Sequence, residues 1–548
     1  IFNNYILDRM RSLEDNGNRA ITYVYSFIYG NDWADDVQQL DRMSKITKQD
    51  VVDWANKYLG PESYAIVYKR EGKDPNEQKI AAPKITPIVT NRDNKSEFLA
   101  EVQNTQVEPI EPVFVDYKKD MSQFPAQKGV DVLYKKNDTN DIFTLIYVFN
   151  TGTENDPALN LAFNYLGYLG TDKMTAEQIA SEMYDNACSF YLNAGPNQSW
   201  IQIQGLSENM GKAMEIVEGL IAGAKPDEAI LQNLKGDMIK SRADAKLNQG
   251  RCFSALQRYL FYGSDFIRRT TLPNPELQGL TSEQLLAKIS DLTGNQHEVL
   301  YYGPMDEKEV KAALAEHHKA AADLKPLEKK FSVQQPTDQN KVVLAQYDAK
   351  QLYYLQYSNR GEKLELAADP EISLYNEYFG GGMNSIVFQE MREARGLAYS
   401  AWATLATPSN AKGDYFFYAF IATQNDKLQK AVEAFDDIIN NMPESEAAFN
   451  IAKEALITRL RTDRTVKSDV LWSYLSARDL GLTEPRAKQI FEKAQEMTLA
   501  DVKAAQEKWI KGRKYVYGIL GDIQDLDLNY LKTLGPIQTV SQEEIFGY

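Results

Sequence analysis

Two rhythms of apolar and polar residues alternate along the chain. Period-two runs occur at VDVLYKK (130–136), FTLIYVFN (143–150), KVVLAQY (341–347) and LYYLQYSN (352–359), and they predict strands. Stretches with helical spacing follow them. Among these are AMEIVEGLI and AVEAFDDII, each ending at a proline, Pro226 or Pro443, with another amphipathic helix beyond it. One longer pattern occurs three times: ITKQDV (46–51), LTSEQL (280–285) and MTLADV (497–502). In each copy a threonine is placed to cap a helix, and acidic residues just after it suit the helix start electrostatically. A predicted strand begins 17 residues past each threonine: Thr47 to Tyr64 (YAIVY), Thr281 to Glu298 (EVLYYG) and Thr498 to Tyr515 (YVYGILG). The first helix runs to the break at Gly60-Pro61.

The second and third copies are offset by 217 residues, and so are Pro226 and Pro443. The offset predicts two like domains in tandem, 129–330 and 338–548. The first copy is read as the closing end of another such domain, 1–72. Between them, 73–128 holds Pro75, Pro83, Pro87, Pro109, Pro112 and Pro125 among many charges, and it is expected to be a long linker joining two large halves. Strands come first in each domain, long helices next and a final strand last, without regular β-α alternation. The expected class is α+β, each domain a mostly antiparallel sheet covered by helices. Phe2, Tyr5, Ile6 and Met10 place the first residue partway along an amphipathic helix, so the expectation is a chain cut from something longer.

A length of 548 residues agrees with several domains, since single cores rarely exceed about 250–300 residues. The formal charge of −16 argues against a nucleic-acid groove, which needs clustered Lys and Arg, and is otherwise ordinary for a globular chain. No run of 18 apolar residues is present, so no membrane-spanning helix is expected. Cys188 and Cys252 are too few for a disulfide framework and form no C-x-x-C pair; whether they are bridged stays open.

Candidate catalysts are scarce. There are three histidines: His297, His317 and His318. His297 opens a repeat strand where the other copies have other residues, which argues against catalysis. His317 and His318 are neighbours in AALAEHHKAAADL, and adjacent helical side chains diverge by about 100°, a poor geometry for chelating one metal. Neither a G-x-S-x-G elbow nor a phosphate-loop lysine occurs. No metal ligand is assigned to this chain.

The segment GGGMNSIVFQEMREARGLAYS (380–400) draws attention. Its glycines lack the spacing of a dinucleotide or phosphate loop. They are expected to end the helix through ISLYNEYF in left-handed backbone, with Asn384 or Ser385 capping the next helix. That helix ends near Arg395-Gly396 and LAYSAWATL reads as a strand. Arg392 on the last turn and Tyr399 at the strand start then face one cleft. A guanidinium can hold a peptide carbonyl, and a phenol can donate to a developing oxyanion. A helix-terminal cation beside a half-buried tyrosine is the plain structural alternative.

The same segment closely resembles the C-terminal-domain signature of the pitrilysin/insulinase family of zinc metallopeptidases, which includes mitochondrial processing peptidase. The tandem α+β domains, long linker and repeated closing motifs resemble that family too, over essentially the whole chain. The resemblance implies four homologous domains in two halves that close around a peptide. It implies zinc held on the first domain by H-x-x-E-H and a later glutamate, the motif glutamate serving as general base. It also implies an arginine and, seven residues on, a tyrosine in the last domain that contact substrate near the scissile bond. Carried over, these are Arg392 and Tyr399.

The departure from the family pattern is equally informative. In NTGTENDPALNLAFNYLGYLGTDKMTAEQIASEMYD (150–185) the zinc motif falls on Leu161, Ala162, Phe163, Asn164 and Tyr165, and no ligand or base is present. By that resemblance 129–330 is the degenerate third domain, 338–548 the fourth, and zinc is expected on a missing N-terminal half. The implied partners are that half and a peptide or unfolded polypeptide. The implied activity is zinc endopeptidase in the intact protein, with the fragment alone inactive. A non-catalytic scaffold or assembly subunit of the same fold is the rival, and an upstream H-x-x-E-H followed by a glutamate some 70–80 residues later would separate the two. Peptide preference and oligomeric state are not legible, and the location expected is extracytoplasmic, periplasmic or secreted.

Overall fold

A computed structural model describes residues 1–72 and 96–548. Its frame is a pair of six-stranded, mostly antiparallel sheets covered by helices, as the sequence pattern leads one to expect. The first sheet holds β1 (Ser122–Gln127), β2 (Val130–Lys136), β3 (Ile142–Phe149), β4 (Cys188–Ala194), β5 (Ser199–Leu206) and β6 (His297–Gly303). Their spatial order is β1-β2-β6-β3-β5-β4. The second holds β7 (Lys341–Gln346), β8 (Gln351–Ser358), β9 (Ala398–Ala406), β10 (Phe416–Gln424), β11 (Val516–Gly521) and β12 (Ile537–Val540), in the order β12-β7-β11-β8-β10-β9. In both, the late strand inserts centrally: β6 lies between parallel β2 and antiparallel β3, and β11 between parallel β7 and antiparallel β8.

The repeated threonines account for how each late strand is delivered. Thr281 and Thr498 form reciprocal capping boxes with Gln284 and Asp501, starting helices Ser282–Thr293 and Leu499–Ala505 ahead of β6 and β11. A second repeated device precedes each cap. Lys235 Nζ donates to the carbonyls of Gln278 and Leu280 at 3.0 and 2.6 Å, and Lys453 Nζ donates to those of Gln495 and Met497, both at 2.8 Å. Each lysine ties the turn before the capped helix onto the long helix that carries it. Lys235 is buried, so its carbonyl partners replace water around the ammonium group.

Two corresponding helices are exchanged between the sheets. Gln249–Thr270, kinked at Gly263 (φ +83°), precedes β6 in the chain, yet its Phe253, Leu256, Leu260 and Ile267 pack with Val343, Leu355, Tyr357 and Leu520 of the second sheet. Conversely Asp469–Asp479 precedes β11 but packs Val470, Leu471 and Leu475 against Leu133, Ile146, Val148 and Leu300 of the first. Arg478 adds a bidentate pair to Glu298 at 2.5 and 2.7 Å. Each sheet thus has one face covered by its own helices and the other closed by a helix from the opposite half, which is why β3 and β8 are buried almost throughout.

Several local expectations are corrected. Tyr64–Arg70 is not a strand: it has no pairing partner among the described residues, and Tyr64, Ile66, Val67 and Tyr68 are exposed. The linker range includes ordered structure, namely helix Glu97–Asn104 and strand β1 paired to β2, and Val115 and Met121 are buried under the first sheet. Pro125 is accommodated because β1 is an edge strand. Residues 73–95 of that range lie outside the described residues.

Candidate functional site

The segment 380–400 is shaped by one close approach and one irregular helix. Gly380 ends helix Asp369–Phe379 with φ −130°, and none of Gly380, Gly381 and Gly382 takes the left-handed backbone expected of them. The requirement at Gly380 is steric: a Cβ there would lie 1.8 Å from the Ala403 carbonyl oxygen of β9. Ser385 is the cap of the next helix, accepting from the Phe388 amide and donating to the Gly382 carbonyl at 2.7 Å. After Phe388 the helix widens: Gln389–Ala394 is π-helical, and the Arg395 amide bonds back to Glu390 O at 3.1 Å. Gly396 (φ +56°) then reverses the chain into β9. Wide turns of this kind often occur where a helix must present a side chain out of regular register.

The two arginines have different surroundings. Arg395 is committed to structure, donating to Asp437 at 2.7 Å and contacting Glu390 at 3.4 Å. Its hydrogen bond with Asp437 raises the guanidinium pKa and lowers that of the carboxyl. Arg392 donates no hydrogen bond to any described residue; its Nε lies 3.5 Å from Glu393. Its guanidinium carbon sits 4.8 Å from the Phe388 ring centre and 4.4 Å from that of Tyr399. Cation–π contact with two rings therefore fixes the plane of the guanidinium while its N–H donors remain unspent. Tyr399 is 78 % exposed, and its hydroxyl has no partner among the described residues. The result is a preorganised pair of donors, one charged and one phenolic, on an open surface. It suits a carbonyl or oxyanion.

The zinc-motif positions have become core. Of the five motif positions on helix Leu159–Leu166, Leu161, Ala162, Phe163 and Tyr165 are buried and Asn164 faces outward. The Tyr165 hydroxyl accepts from the Asp227 amide at 2.7 Å and bonds Ser282 Oγ at 2.8 Å, locking the helix against its neighbours. Among the described residues no cluster of three or more His, Cys, Asp or Glu side chains is arranged to hold a metal.

One constellation escaped the sequence reading. His318 is not a helical neighbour of His317: it terminates helix Glu307–His317 with extended backbone (φ −80°, ψ 115°) and turns inward. Its Nε2 lies 2.9 Å from His297 Nε2, and its Nδ1 lies 2.5 Å from Glu218 Oε1. His317 points elsewhere, 3.6 Å from Glu215. Burial pushes the His297 pKa down to about 4. The one available signal was the strand-to-helix-end return of β6 and Glu307–His317, which brings residues 21 apart together.

Residues 280–456 match the model of the peptidase M16 inactive domain. That match covers less than half of the chain. Its fold is shared by the M16 inactive domain from Pseudomonas fluorescens, at 18 % identity over 73 % of this chain and 98 % of that one, TM-score 0.59. The periplasmic protease PqqL from Escherichia coli aligns at 13 % identity over 88 % of this chain but 52 % of its own, TM-score 0.57. The ferredoxin protease FusC, solved as a point mutant in complex with Arabidopsis ferredoxin, aligns at 13 % over 93 % of this chain and 58 % of its own, TM-score 0.58. The chain thus spans little more than half the length of these two proteases. No curated protein matches it in sequence.

Proposed function

We propose that this chain is the C-terminal half of a zinc-dependent endopeptidase, forming the wall that closes over a peptide bound to a catalytic half. The observation that carries the proposal is the Arg392–Tyr399 pair, stacked at 4.4 Å with unspent donors facing outward. In this reading Arg392 holds a substrate carbonyl and Tyr399 donates to the oxyanion as water adds to the scissile bond. Zinc and the general base belong to the other half, since the motif positions here hold buried Leu161, Ala162, Phe163 and Tyr165 and an outward-facing Asn164, with no histidine or carboxylate among them.

Residues 1–72 support a missing partner. Helix Phe2–Leu13 is anchored through Leu7 to Ile142, Ala187 and Leu206, whereas the helices beyond it present Tyr25, Phe27, Ile28 and Trp54 to solvent. The capping box of Thr47 with Asp50 is formed, yet the segment Tyr64–Arg70 that follows has no strand to pair with among the described residues. Its counterparts β6 and β11 each sit between a parallel and an antiparallel strand. The N-terminal half would supply both neighbours. We further propose 1–72 as the end of a second domain, 129–330 as a degenerate third and 338–548 as the fourth, with 73–128 joining the halves. Substrates would be peptides or unfolded polypeptides taken into an enclosed chamber. An extracytoplasmic location agrees with the description of PqqL as periplasmic, and among the described residues no helix is long and apolar enough to cross a membrane. Peptide cleavage by the assembled protein, lost on chelation and slowed by Tyr399→Phe, tests the proposal; undiminished turnover in Tyr399→Phe and Arg392→Ala would overturn the assignment.

A further inference from the structure

The two sheets have four edge strands, β1, β4, β9 and β12. Three of these edges are guarded. β1 carries Pro125 with a register shift beside it, and β12 is only four residues long. On β9 the Asn376 side chain takes both outward backbone groups of Leu405, accepting from its amide at 2.8 Å and donating to its carbonyl at 3.0 Å. Gly380 then packs against the backbone of Ala403. Proline, shortness, irregular pairing and cover are the usual protections of an edge strand.

β4 has none of them. Its sequence, CSFYLNA, contains no proline, glycine or charge, and it pairs with β5 along its whole length without a register shift. The Leu206 amide donates to the Ala187 carbonyl at 3.2 Å and the Gly195 amide to the Gln198 carbonyl at 2.8 Å, one bond at either end of that register. Odd-numbered residues of β4 therefore bond to β5, and the even-numbered ones turn their N–H and C=O groups outward. Those of Phe190, Leu192 and Ala194 have no partner among the described residues. The Phe190 and Leu192 side chains lie against the first core, while Tyr191 and Asn193 are exposed on the other face. This is a regular, open edge.

We propose that β4 docks an extended polypeptide segment carrying lysine or arginine, which joins the first sheet as an added strand. Backbone pairing supplies the affinity in such an arrangement, and the surroundings of the edge supply the preference. Here the surroundings are acidic. Helix Ala176–Asp185 leads directly into β4; its Glu177, Glu182 and Asp185 are exposed and form no ion pair with described residues, and neither the helix nor β4 holds a cation. That charge also disfavours a second copy of the chain. Two β4 strands paired about a twofold axis would bring the carboxylates of both helices to the same face, on chains that each carry −16. The docking edge is distinct from the Arg392–Tyr399 pair, and its test involves no cleavage.

The test is fluorescence anisotropy of a labelled, unstructured peptide of valine, threonine and lysine, about ten residues long, titrated with the 548-residue chain. The expected result is saturable binding that weakens with salt. N-methylation of every second peptide residue should weaken it about tenfold or more in one alternate set and little in the other, because only one set of amides faces β4. Leu192→Pro removes an outward amide and no bond to β5, so it should abolish binding in a chain that still folds. Glu182→Gln with Asp185→Asn should weaken binding and flatten its salt dependence. The N-methylated peptides decide the matter on the unsubstituted chain even where a variant fails to fold. No saturable binding, or binding blind to the methylation pattern, would overturn the proposal. A dimer in sedimentation that Leu192→Pro converts to monomer would also overturn it, assigning the edge to a second copy.

Discussion

The Arg392 guanidinium carbon lies 4.4 Å from the centre of the Tyr399 ring, and the two residues come from different elements, the last turn of a π-helix and the first residues of β9. Gly396, at φ +56°, is the reversal that lets them meet. Arg392→Ala removes both the charge and the stacking partner, whereas Tyr399→Phe removes only the phenolic proton. In the proposed two-half protease each should lower kcat by about 10²-fold or more, the usual loss for an oxyanion donor. Melting temperature should stay unchanged in Tyr399→Phe, since its hydroxyl makes no internal hydrogen bond. Steady-state kinetics with a peptide substrate would read the first effect, and thermal denaturation the second.

Gly380 and Gly382 should respond oppositely to alanine. The Cβ of Gly380→Ala meets the Ala403 carbonyl oxygen at 1.8 Å, so β9 or the preceding helix must move. A cost of about 3 kcal/mol or outright misfolding is expected. Gly382 has open space around the corresponding position, and Gly382→Ala should fall within about 0.5 kcal/mol of the parent. Equal stabilities in chemical denaturation would show that the glycine run is not shaped by this contact.

Lys235 and Lys453 make the same clasp in the two halves. Replacing either with methionine keeps most of the aliphatic stem and leaves two carbonyls without their donor. A loss of about 2–4 kcal/mol is expected, larger for the more deeply buried Lys235. Urea denaturation of the two variants would measure it, and a neutral Lys235→Met would contradict the clasp.

Both cysteines are free and buried. Burial pushes the Cys188 thiol up to about 11 and also raises that of Cys252. The thiolate is the reactive form, so neither should react promptly with a disulfide reagent at neutral pH in the native chain. Two thiols should titrate after denaturation, and one or none would mean a bridge or an oxidised side chain.

How much of this was legible in the sequence follows from which interactions are local. The capped helices and their strands were visible because a threonine cap and a period-two run are short-range signals, and β2, β3, β7 and β8 fall where those runs lie. Tyr64–Arg70 has the same signal and no sheet, because pairing needs neighbours from elsewhere. The glycines at 380–382 read in sequence as a local turn, whereas the constraint at Gly380 comes from Ala403 on β9. The exchanged helices Gln249–Thr270 and Asp469–Asp479 left no local trace, since an apolar face does not say which sheet it will cover. The partnership of His318 with His297 and Glu218 depends on three elements meeting, and adjacency to His317 pointed the wrong way. Arg392 and Tyr399 were found through a motif; their stacking, and the contrast with Arg395, required coordinates.

The most direct measurement is cleavage of an unfolded polypeptide by the purified 548-residue chain, alone and after addition of the proposed N-terminal half, with and without chelator. The account predicts no chelator-sensitive cleavage by the chain alone, cleavage on reconstitution, and loss of about 10²-fold of that activity when the 548-residue chain carries Tyr399→Phe. Chelator-sensitive cleavage by the chain alone, or full reconstituted activity with Tyr399→Phe and Arg392→Ala, would contradict it.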